Sequence, residues 1–190
     1  MDEQATHTGY ILPPSQGPRP VKALNAHVAR KIAAGEVIDR PNAVLREFLD
    51  NAIDAGSTRI VAEITNGGIA SIRVVDNGWG MTKADLEACA RPHVTGKISD
   101  ENDLENLFTL GFRGEALASI AAVSRLEITS CRNNEAWKME AVIEGEHSVT
   151  PAVLHEGSII VSQGLFENFP ARRKFLKRAQ SESSLCKQTF

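Results

Sequence analysis

Residues 41–56 read PNAVLREFLDNAIDAG. Projected at about 100° per residue, Glu47, Asp50, Asn51 and Asp54 share one narrow stripe, while Leu45, Phe48, Leu49, Ala52 and Ile53 fall on the opposite side. The spacing predicts a helix with an apolar back and a front of acids and an amide. Pro41 suits the first turn, where its missing N–H leaves no donor unsatisfied, and Gly56 suits the position just past the last turn. Two readings of the front stand side by side. Charge on the outer side of an amphipathic helix is ordinarily a solvated face. The same residues also suit chemistry: Glu47 can orient and deprotonate a water, and the amide oxygen of Asn51, one turn on, can hold a hard cation such as Mg2+. The flanking segments have to decide between them.

Downstream, RIVAEIT (Arg59–Thr65) and IASIRVVD (Ile69–Asp76) are rich in β-branched residues and are joined by Asn66-Gly67-Gly68, which predicts an antiparallel hairpin. DNGWG (Asp76–Gly80) follows, and Thr82 with Asp85 forms the pattern of a capping box for a helix ending near Ala90. A long irregular stretch, Arg91–Thr109, leads to LGFRGEALASIAAVS (Leu110–Ser124), in which two glycines precede an alanine-rich helix. Strands are expected at Arg125–Arg132, Glu135–Glu144 and Gly157–Gln163, with Asn133-Asn134 as a type I′ turn. Trp137, Met139, Ala141 and Ile143 alternate with Lys138, Glu140 and Glu144, so one sheet face is apolar and the other wet, and helices belong on the apolar side. Upstream, the spacing of Val28, Ile32 and Ala33 predicts a short helix before Gly35, and residues 1–20, with four prolines and two glycines, read as an unstructured tail. The chain closes with Asn168–Phe190, a helix start without an obvious stop.

The 190 residues suffice for one domain, here 21–190, and 42% hydrophobic with 24% charged residues is ordinary for a soluble globular chain. A net charge of −3 gives no overall basic field, so any contact with nucleic acid must be local. Cys89, Cys131 and Cys186 are widely spaced and in no CxxC pair, which argues for a reducing compartment. Cys89 and His93 have i, i+4 spacing, but two ligands make no metal site, and both read as structural; His27, His147 and His155 add no metal or triad spacing. No apolar run approaches the ~20 residues of a membrane span, and the reading is of a cytoplasmic type of protein with no membrane partner.

Two nucleotide motifs fail on inspection. Thr95-Gly96-Lys97 resembles the end of a P-loop, but Arg91 and Ile98 stand where its first glycine and its Ser/Thr belong. Gly78-Trp79-Gly80 begins like a dinucleotide fingerprint, but Lys83 holds the third glycine position and the segment follows a hairpin strand. What remains is an acid at a strand end followed by glycines. Asp76 can accept a hydrogen bond from an exocyclic amine such as adenine's, and Gly78 and Gly80 let a flat ring approach the backbone; the plainer reading is an Asn-Gly turn. Gly111 and Gly114 before a helix can expose backbone N–H groups to phosphates, or simply start a helix. The stretch between them has the length of a lid, with Thr95, Gly96 and Lys97 placed to close over a triphosphate.

IAAGEVIDRP with EFLDNAIDAG, then DNGWG, GFRGEALASI and PARRKFL, resemble the signature segments of the MutL mismatch-repair proteins, a branch of the ATPase superfamily that includes DNA gyrase, heat-shock-90 chaperones and histidine kinases. The resemblance runs from about Val21 to the end, and GFRGEAL and PARRKFL are not shared by the other branches. It implies an α+β, two-layer α/β sandwich (the Bergerat ATP-binding fold), with a mixed, mainly antiparallel sheet and helices on one face. It makes Glu47 the general base for attack on the γ-phosphate and Asn51 the Mg2+ ligand. Asp76 becomes the adenine-binding acid, with Gly78, Gly80 and Met81 beside the base. Thr95, Gly96 and Lys97 match lid positions. Leu110, Gly111, Phe112, Arg113, Gly114, Glu115, Ala116 and Leu117 match the second phosphate loop, and Ser158 matches a threonine behind the adenine acid.

The sequence departs from the family in three places. The lid reads HVTGK where HATSK is more usual, so Gly96 offers only its backbone; Phe169 stands where a threonine is common; and the chain ends before the second domain, which supplies a lysine to the γ-phosphate, and before the dimerisation domain. The basic run Arg172, Arg173, Lys174, Lys177 and Arg178 is either a contact for DNA phosphates or a solvated face. The resemblance implies a slow Mg2+-dependent ATPase whose cycle closes a lid and drives homodimerisation. Its implied partners are mismatched or single-stranded DNA and the mismatch-recognition protein MutS. The alternative is a nucleotide-gated adaptor that binds ATP without significant turnover. A histidine kinase or a gyrase-like motor would need a phosphoacceptor helix or a topoisomerase tyrosine domain, and neither is visible in the sequence.

Overall fold

A computed structural model of the chain describes residues 25, 34, 37–91, 115–141 and 147–190. The expected tail, the short helix over Val28–Ala33, His93, the lid with Thr95, Gly96 and Lys97, and the loop residues Leu110–Gly114 lie outside the described residues.

Helix α1 (Pro41–Asp54) has Pro41 in its first turn and is followed by Gly56 at φ +70°, the left-handed conformation that ends a helix at least cost to glycine. It buries Val44, Leu45, Phe48, Leu49 and Ala52. Ile53, expected on the same apolar side, is instead 52% exposed. It sits on the helix flank beside Arg46 and Asp50, where it lines a depression of about 500 Å3 together with Ile60 and Phe190.

Among the described residues six strands follow: β1 (Ile60–Thr65), β2 (Ser71–Asp76), β3 (Arg125–Arg132), β4 (Glu135–Ala141), β5 (Ser148–Pro151) and β6 (Gly157–Gln163). They form one sheet in the order β1-β2-β6-β3-β4-β5, and every pairing is antiparallel. The strand β5 was not anticipated; it has only four residues and ends in proline, which an edge position tolerates because no ladder N–H is needed there. Asn66–Gly68 form a short 3-10 turn with φ of 52°, 69° and 84°, and Asn133 and Asn134 have φ of 56° and 62°, as a type I′ turn requires.

Helices α2 (Lys83–Cys89), α3 (Ala116–Val123), α4 (Pro170–Arg173) and α5 (Ala179–Thr189) complete the described elements. Thr82 caps α2 reciprocally with Asp85: its hydroxyl accepts from the Asp85 N–H at 3.2 Å, while its own N–H donates to Asp85 Oδ2 at 2.9 Å. The helix start expected after Asn168 is present at Pro170 and stops at Arg173, with a second helix beginning at Ala179.

The core lies between the inner sheet face and α1, α2 and α3. Ile72, Val74, Leu126, Ile128, Met139 and Ile160 point into it and meet Phe48, Leu86 and Ile120, all buried. On the other face Arg73 pairs with Glu63 at 2.8 Å, and Lys138 reaches both Glu127 and Glu140, at 2.9 and 2.7 Å. This face is less wet than alternation predicted, because Val61, Val75 and Ile159 stand in register across β1, β2 and β6.

Candidate nucleotide-binding site

The register brings one cross-strand row to the end of the inner sheet face: Asp76 on β2, Ser158 on β6, Ser130 on β3 and Trp137 on β4. In an otherwise apolar sheet face this row is polar at its centre. Asp76 is 5% exposed, and its Oδ1 accepts from the Gly78 N–H at 2.8 Å and from the Ser57 hydroxyl at 3.1 Å. Burial raises the Asp76 pKa above its ordinary value of 3.8, against the opposing pull of the bonds from Gly78, Ser57 and the Ser158 backbone. Ser130 Oγ accepts from the Met81 N–H at 2.7 Å and lies 2.8 Å from Ser158 Oγ. The row therefore fixes both ends of the Asp76–Met81 segment.

That segment is also clamped from outside the sheet. Asn77 Oδ1 accepts from the N–H groups of Thr58 and Arg59 at 2.9 and 2.8 Å, and its amide donates to Thr58 Oγ1 at 2.9 Å. The plainer reading of an Asn-Gly turn is thus true of the backbone, and the turn is what holds the buried acid. The glycines have a packing reason of their own. A Cβ on Gly78 would stand 2.7 Å from Ala55 Cβ, and Gly80, at φ +68°, faces the Cys131 carbonyl too closely for any side chain.

The C-terminal end of helix α1 adjoins this loop, the Trp79 backbone N–H donating to the Ala55 carbonyl at 3.0 Å, while Asp50 lines the separate depression that holds Ile53 and Phe190. Glu47, Asp50, Asn51 and Asp54 are all half-buried and all engaged in interactions, so the front is not a freely solvated face. Asn51 offers an amide oxygen one turn from Glu47, the neutral hard donor that Mg2+ takes along with water and phosphate oxygens. Among the described residues no three or more His, Cys, Asp and Glu gather as a metal site on their own. Glu115, Ala116 and Leu117 are the described part of the expected phosphate loop; Glu115 occupies the N-cap of α3 without a side-chain cap, and α3 touches α1 and β3.

Not every candidate gathers here. β6 runs from Ser158 beside Asp76 to Gln163 at the other end of the sheet, so Arg172, Arg173, Lys174, Lys177 and Arg178, which follow it, lie away from the acid. Cys89 is structural, as expected: its thiol donates to the Leu86 carbonyl at 3.4 Å, and burial pushes its pKa up to about 12. Sequence reasoning missed Ser57, Asn77 and Ser130. The available signal for Ser130 was a serine at an inward position of RLEITSCR; Ser57 carried none beyond following Gly56.

Comparison with known proteins agrees with this geometry. Residues 39–158 match the family described as histidine kinase-, DNA gyrase B- and HSP90-like ATPase. The DNA mismatch repair protein MutL of Treponema pallidum is 50% identical over 186 residues, which is 90% of this chain and 30% of that protein. The chain thus spans under a third of the length of that relative. Among solved structures, the N-terminal domain of a DNA repair protein matches with a TM-score of 0.69 at 30% identity, over 83% of this chain and 46% of the other. The Aquifex aeolicus MutL ATPase domain complexed with ADP matches with a TM-score of 0.59 at 28% identity, over 80% and 53%. A buried strand-end acid, an acid-and-amide helix front and a family model spanning both place this chain among the histidine kinase-, DNA gyrase B- and HSP90-like ATPases.

Proposed function

We propose that this chain binds ATP with Mg2+ and hydrolyses it slowly, as the nucleotide-driven part of a DNA mismatch repair protein. The observation that carries the reading is the buried Asp76, held by Ser57 and Gly78 at the strand end beside the C-terminal end of α1. Oδ1 takes those two donors, and Oδ2 is the oxygen that accepts from the exocyclic amine of adenine. Gly78, Gly80 and Met81 border the base, and Ser158 supports the acid from behind.

Asn51 would hold the Mg2+, which supplies charge neutralisation at the phosphates when bound. Glu47 takes a proton from a water; that water's oxygen bonds to the γ-phosphorus as the bond to the β–γ bridging oxygen breaks, and ADP leaves. Thr95, Gly96 and Lys97 close over the triphosphate, and Leu110–Leu117 contribute backbone N–H groups and the start of α3 to the phosphates. The mismatch-repair role rests on MutL relatives at about half identity. The proposal extends, by resemblance to that family, to mismatched or single-stranded DNA and the mismatch-recognition protein MutS as partners and to homodimerisation of the full-length protein on ATP binding, with the five cations of 172–178 as the DNA contact.

Calorimetric titration with a non-hydrolysable ATP analogue and Mg2+ tests the binding, with Asp76→Ala as the variant that abolishes it. Phosphate release tests the chemistry: Glu47→Ala keeps binding and loses turnover by about 10²–10⁴-fold. An Asp76→Ala protein that binds as the parent does overturns the site, and a Glu47→Ala protein that turns over as fast overturns the base.

A further inference from the structure

Trp79 is 74% exposed, between two glycines whose packing against Ala55, Ser57 and Cys131 leaves their loop little freedom. Its backbone N–H donates to the Ala55 carbonyl at 3.0 Å, one residue after the Gly78 N–H bonds Asp76 and two before the Met81 N–H bonds Ser130. The indole rests on Gly56, at φ +70°, so closely that a Cβ there would lie 2.8 Å from its Nε1. Gly56 directly precedes Ser57, which holds Asp76. A large aromatic ring is therefore kept in water, on a rigid loop, beside the residues that hold the acid.

Exposure of an indole forfeits the burial that makes tryptophan stabilising, and the hydrogen bond that Trp79 makes in the local turn uses its backbone and would form with any side chain there. A rigid aromatic with two side-chain torsions loses little entropy when a flat ligand covers it. We infer that Trp79 is a base-contacting wall of the nucleotide site, covering the solvent side of a purine whose amine is bonded by Asp76. The inference rests on the adenine-site reading above and adds a residue which that reading lacks. It also predicts what the residue does: it contributes affinity through its aromatic face and reports occupancy through its emission.

The chain has two tryptophans, and the other, Trp137, lies under α2 with Lys83 Nζ 5.0 Å from its ring, so the two signals separate by substitution. The experiment titrates the parent, Trp79→Phe, Trp79→Leu and Asp76→Ala with a non-hydrolysable ATP analogue and Mg2+, following both tryptophan emission and calorimetric affinity. Expected are an emission change in the parent that is absent from Trp79→Phe, affinity nearly kept in Trp79→Phe, and affinity about tenfold weaker in Trp79→Leu. Leucine keeps bulk over Gly56 without the π face, so a merely structural role would leave that variant like the phenylalanine one. Equal affinities of parent, Trp79→Phe and Trp79→Leu, with binding lost in Asp76→Ala, overturn the inference and leave the site standing. A parent that binds no better than Asp76→Ala overturns both.

Discussion

Ser130 Oγ is 2.8 Å from Ser158 Oγ and accepts the Met81 N–H at 2.7 Å, so a serine on β3 joins the strand behind Asp76 to the far end of the glycine loop. Removing that hydroxyl leaves the Met81 donor without its acceptor in a largely dry place. Ser130→Ala is expected to destabilise the fold by about 1–3 kcal/mol. It should also weaken nucleotide binding, because the loop end beside the base loses its tether. Chemical denaturation and calorimetry on the same variant check the two effects; unchanged stability would show that the hydroxyl row does not organise the loop.

The raised pKa of Asp76 gives a pH dependence with a definite sign. Burial makes the folded state hold the Asp76 proton more tightly than the unfolded chain, whose value is near 3.8. Its contribution to stability is therefore fully present below the unfolded value and is lost as pH rises through the folded one. At neutral pH the ionised, buried carboxylate costs stability. Asp76→Asn keeps an oxygen that can accept from Ser57 and Gly78, so it should be more stable than the parent at neutral pH, and the gap should close at about pH 3, where both are uncharged. The same variant should lose nucleotide binding, because an amide presents N–H donors to the adenine amine. Urea melts at the two pH values and one titration decide it.

Much of this was legible in the sequence because it was local. The helix period, Pro41 and Gly56 fixed α1; the two asparagines fixed the β3–β4 turn; and an acid at a strand end followed by glycines marked Asp76. What escaped depends on packing between distant segments. Ser130 matters only because β6 pairs with both β2 and β3, and the sequence does not display that order. Ile53 is exposed because the flank of α1 that carries it opens onto a depression shared with Phe190. The α4–α5 break at residues 174–178 likewise has no strong local stop, since neither Gly nor Pro occurs there; it coincides with a bond from the Lys177 N–H to the distant end of the Glu182 side chain.

Glu182 is a carboxylate 1% exposed, with Oε1 accepting the Lys177 N–H at 2.8 Å and Oε2 buried without a partner. Its Cβ would be 3.0 Å from one added to Gly67, so the residue joins α5 to the β1–β2 turn as well as closing its own first turn. Glutamine preserves the acceptor for Lys177 and removes the cost of a buried charge, whereas alanine leaves both an unmatched N–H and a void. Glu182→Gln should melt at or above the parent temperature at neutral pH, and Glu182→Ala should lose about 2–4 kcal/mol. Thermal melts of the pair check this, and equal losses in both would show that the charge itself is required.

The five cations Arg172, Arg173, Lys174, Lys177 and Arg178 form no ion pair among the described residues, and no acid stands between Asn168 and Ser181. Glu182, the first acid after them, turns its carboxylate inward. A chain of net charge −3 thus carries a local positive segment, with Phe175 84% exposed in its middle. If this segment contacts DNA phosphates, as proposed, affinity must fall with salt through counterion release, and each contact removed must flatten the slope. Replacing Lys174 and Lys177 by alanine should reduce the slope of log affinity against log salt by about 1.4–1.8, toward the lower figure for single strands. Titrations of a fluorescent oligonucleotide at several salt concentrations measure it. An unchanged slope would make the run a solvated surface, the plainer of the two readings that the sequence allowed.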